Sequence, residues 1–139
     1  MNTLVDTSIW SLALRRKPRD LSSAESVLVA ELSELVKEGR ARLLGVVRQE
    51  LLSGINGVEQ YERLRTTLRA FPDEVVEASD YELAARGSNE CRSKGIALSV
   101  VDALTCAVSS ARTWPIFTTD PDFKSYASIL PIQLHTARK

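Results

Sequence analysis

Histidine is almost missing from this chain: of 139 residues only His135, near the last residue, is one. Histidine-built zinc sites and a Ser-His-Asp triad placed elsewhere in the chain are therefore poor candidates. Cysteine is scarce as well. Cys91 and Cys106 form no CxxC pair and read as two reduced thiols used in packing. The six glycines are scattered and build neither GxGxxG nor GxxxxGK[ST], so no glycine-rich phosphate loop is present. No apolar run approaches the roughly 18–20 residues of a membrane span. The segment Met1–Asp6 lacks the basic-then-apolar pattern of a secretory signal. The length suits one domain, 1–139, able to bury a core without metal or disulfide staples, and a cytoplasmic location is expected. What chemistry the chain performs must fall to carboxylates.

The polar and apolar pattern is otherwise ordinary, with 44% hydrophobic and 26% charged residues. Thr3-Leu4-Val5 predicts a strand leading into Asp6, and Thr7 to about Arg15 a helix. Ser22-Ser23-Ala24-Glu25 forms a capping box for a second helix, with Leu28, Leu32, Leu35 and Val36 at helical spacing and Gly39 as its stop. Segment 42–47 reads as a strand, followed by a helix whose first turn carries Glu50 and which breaks near Gly54. An amphipathic helix runs from Val58 to Phe71, where Pro72 ends it. Segment 74–77 reads as a short strand, Ser79 caps the next helix, and Ser99 caps another through Val108. Segment 115–118 is a strand running into Asp120, a short helix begins at Pro121, and 130–134 suggests an edge strand. Strands alternating with helices predict an α/β fold, an open, mostly parallel sheet with helices on both faces.

Of the 18 acids, four have unusual surroundings. Asp6, Glu50, Asp102 and Asp120 are flanked by apolar residues, where an uncompensated charge is costly. Asp6 and Asp120 follow strands, at the sheet edge where ligand sites of open α/β folds gather, and Glu50 and Asp102 begin helices that reach the same edge. Local readings exist for each: Asp6 and Asp120 as helix caps, Asp102 as partner of Ser99 in a capping box, Glu50 as a charge favoured by a helix N-terminus. Together, four converging carboxylates would repel one another unless a cation joins them. A hard divalent ion that takes oxygen ligands and keeps open positions for phosphate meets that need.

Four segments carry a family resemblance. Leu4-Val5-Asp6-Thr7-Ser8-Ile9-Trp10, Glu50-Leu51-Leu52-Ser53-Gly54, Val101-Asp102-Ala103-Leu104 and Thr118-Thr119-Asp120-Pro121-Asp122-Phe123 resemble, in order and spacing, the motifs of PIN domains. Within these, the match is to VapC-type toxins of VapBC toxin–antitoxin pairs. The resemblance implies a PIN-like fold and a Mg²⁺- or Mn²⁺-dependent endoribonuclease. It implies Asp6, Glu50, Asp102 and Asp120 as the acidic metal site, Asp122 as a fifth member, and Thr7 and Thr118 as supporting polar neighbours. It also implies a cognate VapB-type antitoxin covering the site, a homodimer within a larger complex, and transfer RNA or a ribosomal RNA loop as candidate substrates. Leu104-Thr105-Cys106-Ala107 departs from the small residues usual after the third acid.

The charge balance suits such a partner. With the five acids set aside, 13 acids face 18 basic residues, 13 of them arginine. Arg15, Arg16, Lys17 and Arg19 form the best single candidate for contact with an RNA backbone. Trp10 and Trp114 offer stacking surfaces, although apolar neighbours favour the core. The alternative is a catalytically silent PIN-like module that binds RNA or protein. A Mg²⁺-dependent phosphatase or receiver domain fits less well, because Asp6-Thr7-Ser8 lacks the paired acids those sites need.

Overall fold

Three short parallel strands and seven helices make up the computed structural model, which describes residues 1–139. In chain order the elements are β1 (Thr3–Val5), α1 (Thr7–Leu14), a 3-10 turn at Pro18–Asp20, α2 (Ser23–Lys37), β2 (Ala41–Arg42), α3 (Gly45–Leu52), α4 (Val58–Leu68), α5 (Ala78–Ser93), α6 (Val100–Arg112), β3 (Ile116–Phe117) and α7 (Asp122–Ala127). The strand order is β2-β1-β3. Thr3 lies opposite Ala41, and Leu4 and Val5 lie opposite Ile116 and Phe117.

Parallel neighbours require helical crossovers, and these cover the sheet. The central strand is completely buried at Thr3, Leu4 and Val5. On β3, adjacent side chains point to opposite faces. Phe117 joins the main core with Leu4, Ile9, Leu35, Leu51 and Leu104, whereas Ile116 joins a second cluster with Cys91, Cys106, Phe123 and Tyr126. Both faces are therefore packed by helices, as the α/β reading requires. Trp10 belongs to the core: its indole N–H donates to the Val5 carbonyl at 3.1 Å and its ring meets Phe71 at 4.9 Å. No helix is long and apolar enough to cross a membrane.

Four assignments differ from the sequence reading. Segment 42–47 is a strand only through Arg42, and a helix begins at Gly45. Val47 and Leu51 are buried one helical turn apart, so the β-branched pair Val46-Val47 belongs to a helix packed on the core. Glu50 consequently sits late in α3, not in its first turn, and the helix dipole does not explain it. Segment 74–77 is not a strand; only Asp73 bridges, to Leu43. The cap of α5 is Glu77 rather than Ser79, with the Asp80 carboxylate accepting the Glu77 N–H at 3.0 Å. The suggested edge strand reduces to one bridge, Ile116 to Leu134, beyond which the tail bonds to α2: His135 and Arg138 each reach the buried Glu31 carboxylate at 2.6 Å.

Candidate active site at the C-terminal edge of the sheet

Because β1 and β3 are parallel neighbours, the residues after Val5 and Phe117 emerge side by side. The Asp6 N–H donates to the Phe117 carbonyl at 2.9 Å, which joins the two strand ends. The buried Asp6 carboxylate accepts the Thr118 and Ser8 hydroxyls, each at 2.8 Å on Oδ2. Ser8 Oγ in turn accepts the Thr119 N–H, and Thr118 Oγ1 accepts the Asp120 N–H, both at 3.0 Å. Asp120 Oδ1 accepts the Asp122 N–H at 2.9 Å and so turns the chain into α7. The cap reading of Asp6 holds, since its carboxylate also accepts the Ser8 N–H at the start of α1, whereas Asp120 is not the cap of α7: that position is Pro121, and Asp120 bonds one residue further on, to the Asp122 N–H.

The other two acids arrive on helices. Thr7, in the first turn of α1, donates to Glu50 Oε1 at 2.5 Å and ties α3 to the N-terminus of α1. Ser99 Oγ accepts the Asp102 N–H at 3.0 Å, yet the Asp102 carboxylate does not complete a capping box. Its Oδ2 accepts the Tyr126 hydroxyl at 3.0 Å instead. Burial pushes the Asp102 carboxyl up to about 6; the Tyr126 bond opposes that rise, and the charges of Asp6, Asp120 and Glu50 add to it. Acids from four separate segments therefore share one electrostatic environment. Asp122 is exposed at the rim, where its charge, with those of Asp102 and Asp120, contributes to the raised pKa of the Tyr126 hydroxyl, behind burial and the Asp102 hydrogen bond.

None of the five acids takes part in an ion pair, while Glu25, Glu31, Glu34, Glu38, Glu62, Asp73, Glu74 and Asp80 all do. These carboxylates are thus oxygen donors with no protein cation paired to them. That donor chemistry fits a hard divalent ion. No three acidic, histidine or cysteine side chains stand close enough to grip one ion as oriented here.

Beside Glu50 a groove of about 360 Å³ is lined by Val46, Gln49, Ser53, Val100 and Val101. An apolar cavity of about 210 Å³ between α5 and α6 contains none of the acids. There, burial pushes the Cys106 thiol up to about 12, so it is no nucleophile at neutral pH. Arg15, Arg16, Lys17 and Arg19 are exposed at the far end of α1 and do not meet the acids. Eight residues of helix separate them from Asp6, about 12 Å along the axis. Sequence reasoning missed Ser8 and Tyr126. Ser8 had a signal, since it lies two residues after Asp6; Tyr126, 24 residues from Asp102, had none.

The model of the PIN domain matches residues 3–129. The chain belongs to the PIN domain family. PIN folds among solved structures resemble it over nearly their whole length. FitAcB from Neisseria gonorrhoeae is 17% identical with a TM-score of 0.74, covering 96% of both chains. VapBC-1 from nontypeable Haemophilus influenzae is 14% identical with a TM-score of 0.73, covering 100% of both. VapBC-5 from Mycobacterium tuberculosis, a member of the VapBC family of toxin-antitoxin systems, is 15% identical with a TM-score of 0.65, covering 96% of both. No curated protein sequence matches the chain.

Proposed function

We propose that this PIN-domain protein is a Mg²⁺- or Mn²⁺-dependent endoribonuclease and the VapC-type toxin of a toxin–antitoxin pair. The observation that carries the reading is the joined ends of β1 and β3, where the Thr118 hydroxyl donates to the Asp6 carboxylate and accepts the Asp120 N–H, in a chain whose residues 3–129 match the PIN domain. Asp6, Glu50, Asp102 and Asp120, with Asp122 at the rim, would hold the ion, which supplies an acidified water, neutralises phosphoryl charge and templates in-line attack. The chain's own residues do the positioning. Ser8 and Thr118 fix Asp6 Oδ2, Thr7 fixes Glu50, and Tyr126 fixes Asp102 while leaving its other oxygen free. A carboxylate oxygen outside these bonds accepts the proton of the attacking water.

The similarity to chains from toxin–antitoxin systems supports an antitoxin partner; that the antitoxin covers the acids, that the chain forms a homodimer and that the complex is cytoplasmic belong to the same proposal. Transfer RNA or a ribosomal RNA loop is the proposed substrate. The test is cleavage of total cellular RNA by the purified chain with Mg²⁺ or Mn²⁺ against EDTA. Discrete metal-dependent fragments are expected, with Asp6→Asn and Asp120→Asn each losing at least about a hundredfold in rate, the scale of one catalytic group. Full activity in both variants refutes the assignment. No cleavage by folded wild-type protein shifts it to a silent binding module.

A further inference from the structure

We infer that the groove between the C-terminal end of α1 and α4 is a track for the sugar–phosphate backbone of one RNA strand leading away from the acidic edge. The groove has a volume of about 370 Å³, a floor of Leu14 and Leu64, and walls that carry Arg15, Arg16, Lys17 and Arg63 but no acid. Three of these cations have no carboxylate partner; Arg16 alone approaches one, the half-buried Glu25, at 3.7 Å. The negative end of the α1 dipole favours Arg15 and its neighbours, but it does not account for Arg63, which comes from a different helix. On α4 the contrast is internal. Arg65 is bound by Glu62 at 2.7 Å, whereas Arg63 faces the groove unneutralised.

The groove and the acids also share a flank. Thr7, Ser11, Leu14 and Arg15 lie on one face of α1, at spacings of four, three and one residues. Thr7 touches Glu50 at one end of that face, and Leu14 and Arg15 line the groove at the other. The intervening length, about 12 Å, is that of an eight-residue helix. A strand whose phosphate lies at the acids therefore meets cations a few nucleotides away. This inference takes its polymer from the ribonuclease reading, but its test does not depend on cleavage.

The test is binding of a fluorescein-labelled oligouridylate, about twenty nucleotides long to span several contacts, to the full chain in EDTA across a salt series. For Arg15→Gln/Lys17→Gln/Arg63→Gln the slope of log affinity against log salt should flatten by about 2, near 0.7 per lost phosphate contact. Arg65→Gln should leave the slope unchanged, and Arg63→Lys should keep it. All four positions are at the surface, and an unchanged melting temperature certifies the fold. An unaltered slope and Kd in the triple variant overturn the track. So does displacement of the RNA by polyglutamate as readily as by unlabelled oligouridylate at equal charge, which would make an acidic protein segment the occupant. A flattened slope in a protein that cuts no RNA supports the track and refutes the nuclease.

Discussion

Replacing Asp102 with Asn should stabilise the metal-free protein. Raising this carboxyl from 3.8 to about 6 costs its ionised form roughly 3 kcal/mol, at about 1.36 kcal/mol per pKa unit. Solvent reaches the half-buried group and screens part of that cost, which leaves about 1–2 kcal/mol. The sign follows from proton binding. Between about pH 4 and about pH 6 the unfolded chain has released the Asp102 proton while the folded chain retains it, so stability falls as pH rises through this window. Asn keeps an oxygen for the Tyr126 hydroxyl and removes the charge. Thermal melts in EDTA should therefore show Asp102→Asn about 3–6 °C above wild type at about pH 7.5, and level with it near pH 4. Mn²⁺ at a hundredfold excess over Kd should raise wild-type stability by about 2.7 kcal/mol, and that of the variant far less. A variant that melts at or below wild type at neutral pH, or that shows the same gain at pH 4, refutes the raised Asp102 pKa.

Two further substitutions test the framework. Thr118→Val removes the hydroxyl that donates to Asp6 and accepts from Asp120; it should cost about 1–2 kcal/mol in urea unfolding and most of the cleavage rate, while Thr118→Ser retains both. Wild-type cleavage by Thr118→Val would remove Thr118 from the positioning role. Arg112→Ala leaves the buried Asp80 carboxylate without the two hydrogen bonds it accepts at 3.0 Å, and should destabilise by about 3 kcal/mol at neutral pH. The Arg112 guanidinium holds Asp80 below its ordinary pKa, so this stabilisation is present above about pH 4 and is lost as pH falls. The gap between variant and wild type should narrow in melts near pH 3; a gap that stays constant there would rule out the charge pair as its source.

The acids were legible because each stands out against its local background: a charge set among apolar residues, next to a strand or a helix start, is costly unless it is used. Their order along the chain was enough to suggest a family that residues 3–129 then match. Strand boundaries were less legible. Leu43-Leu44 and Val46-Val47 look alike as an apolar run and pack on the same core, and only the backbone bonds from Val47 and Arg48 N–H to the Leu44 carbonyl show that the second pair lies in a helix. Segment 74–77 kept a strand's composition without finding a strand to pair with beyond the bridge at Asp73.

The sequence by itself determined the α/β alternation and the order of acidic motifs that suggested the PIN domain family. These depend on composition and on contacts within a few residues, which a linear chain records directly. Only the tertiary structure decided that Tyr126 serves Asp102, that Ser8 and Thr118 share Asp6, and that Arg63 joins the end of α1. Apart from the contact of Ser8 with Asp6, two residues apart, these pairings close long loops of chain, and their partners carry no mark of one another until the parallel sheet and its helices bring them together.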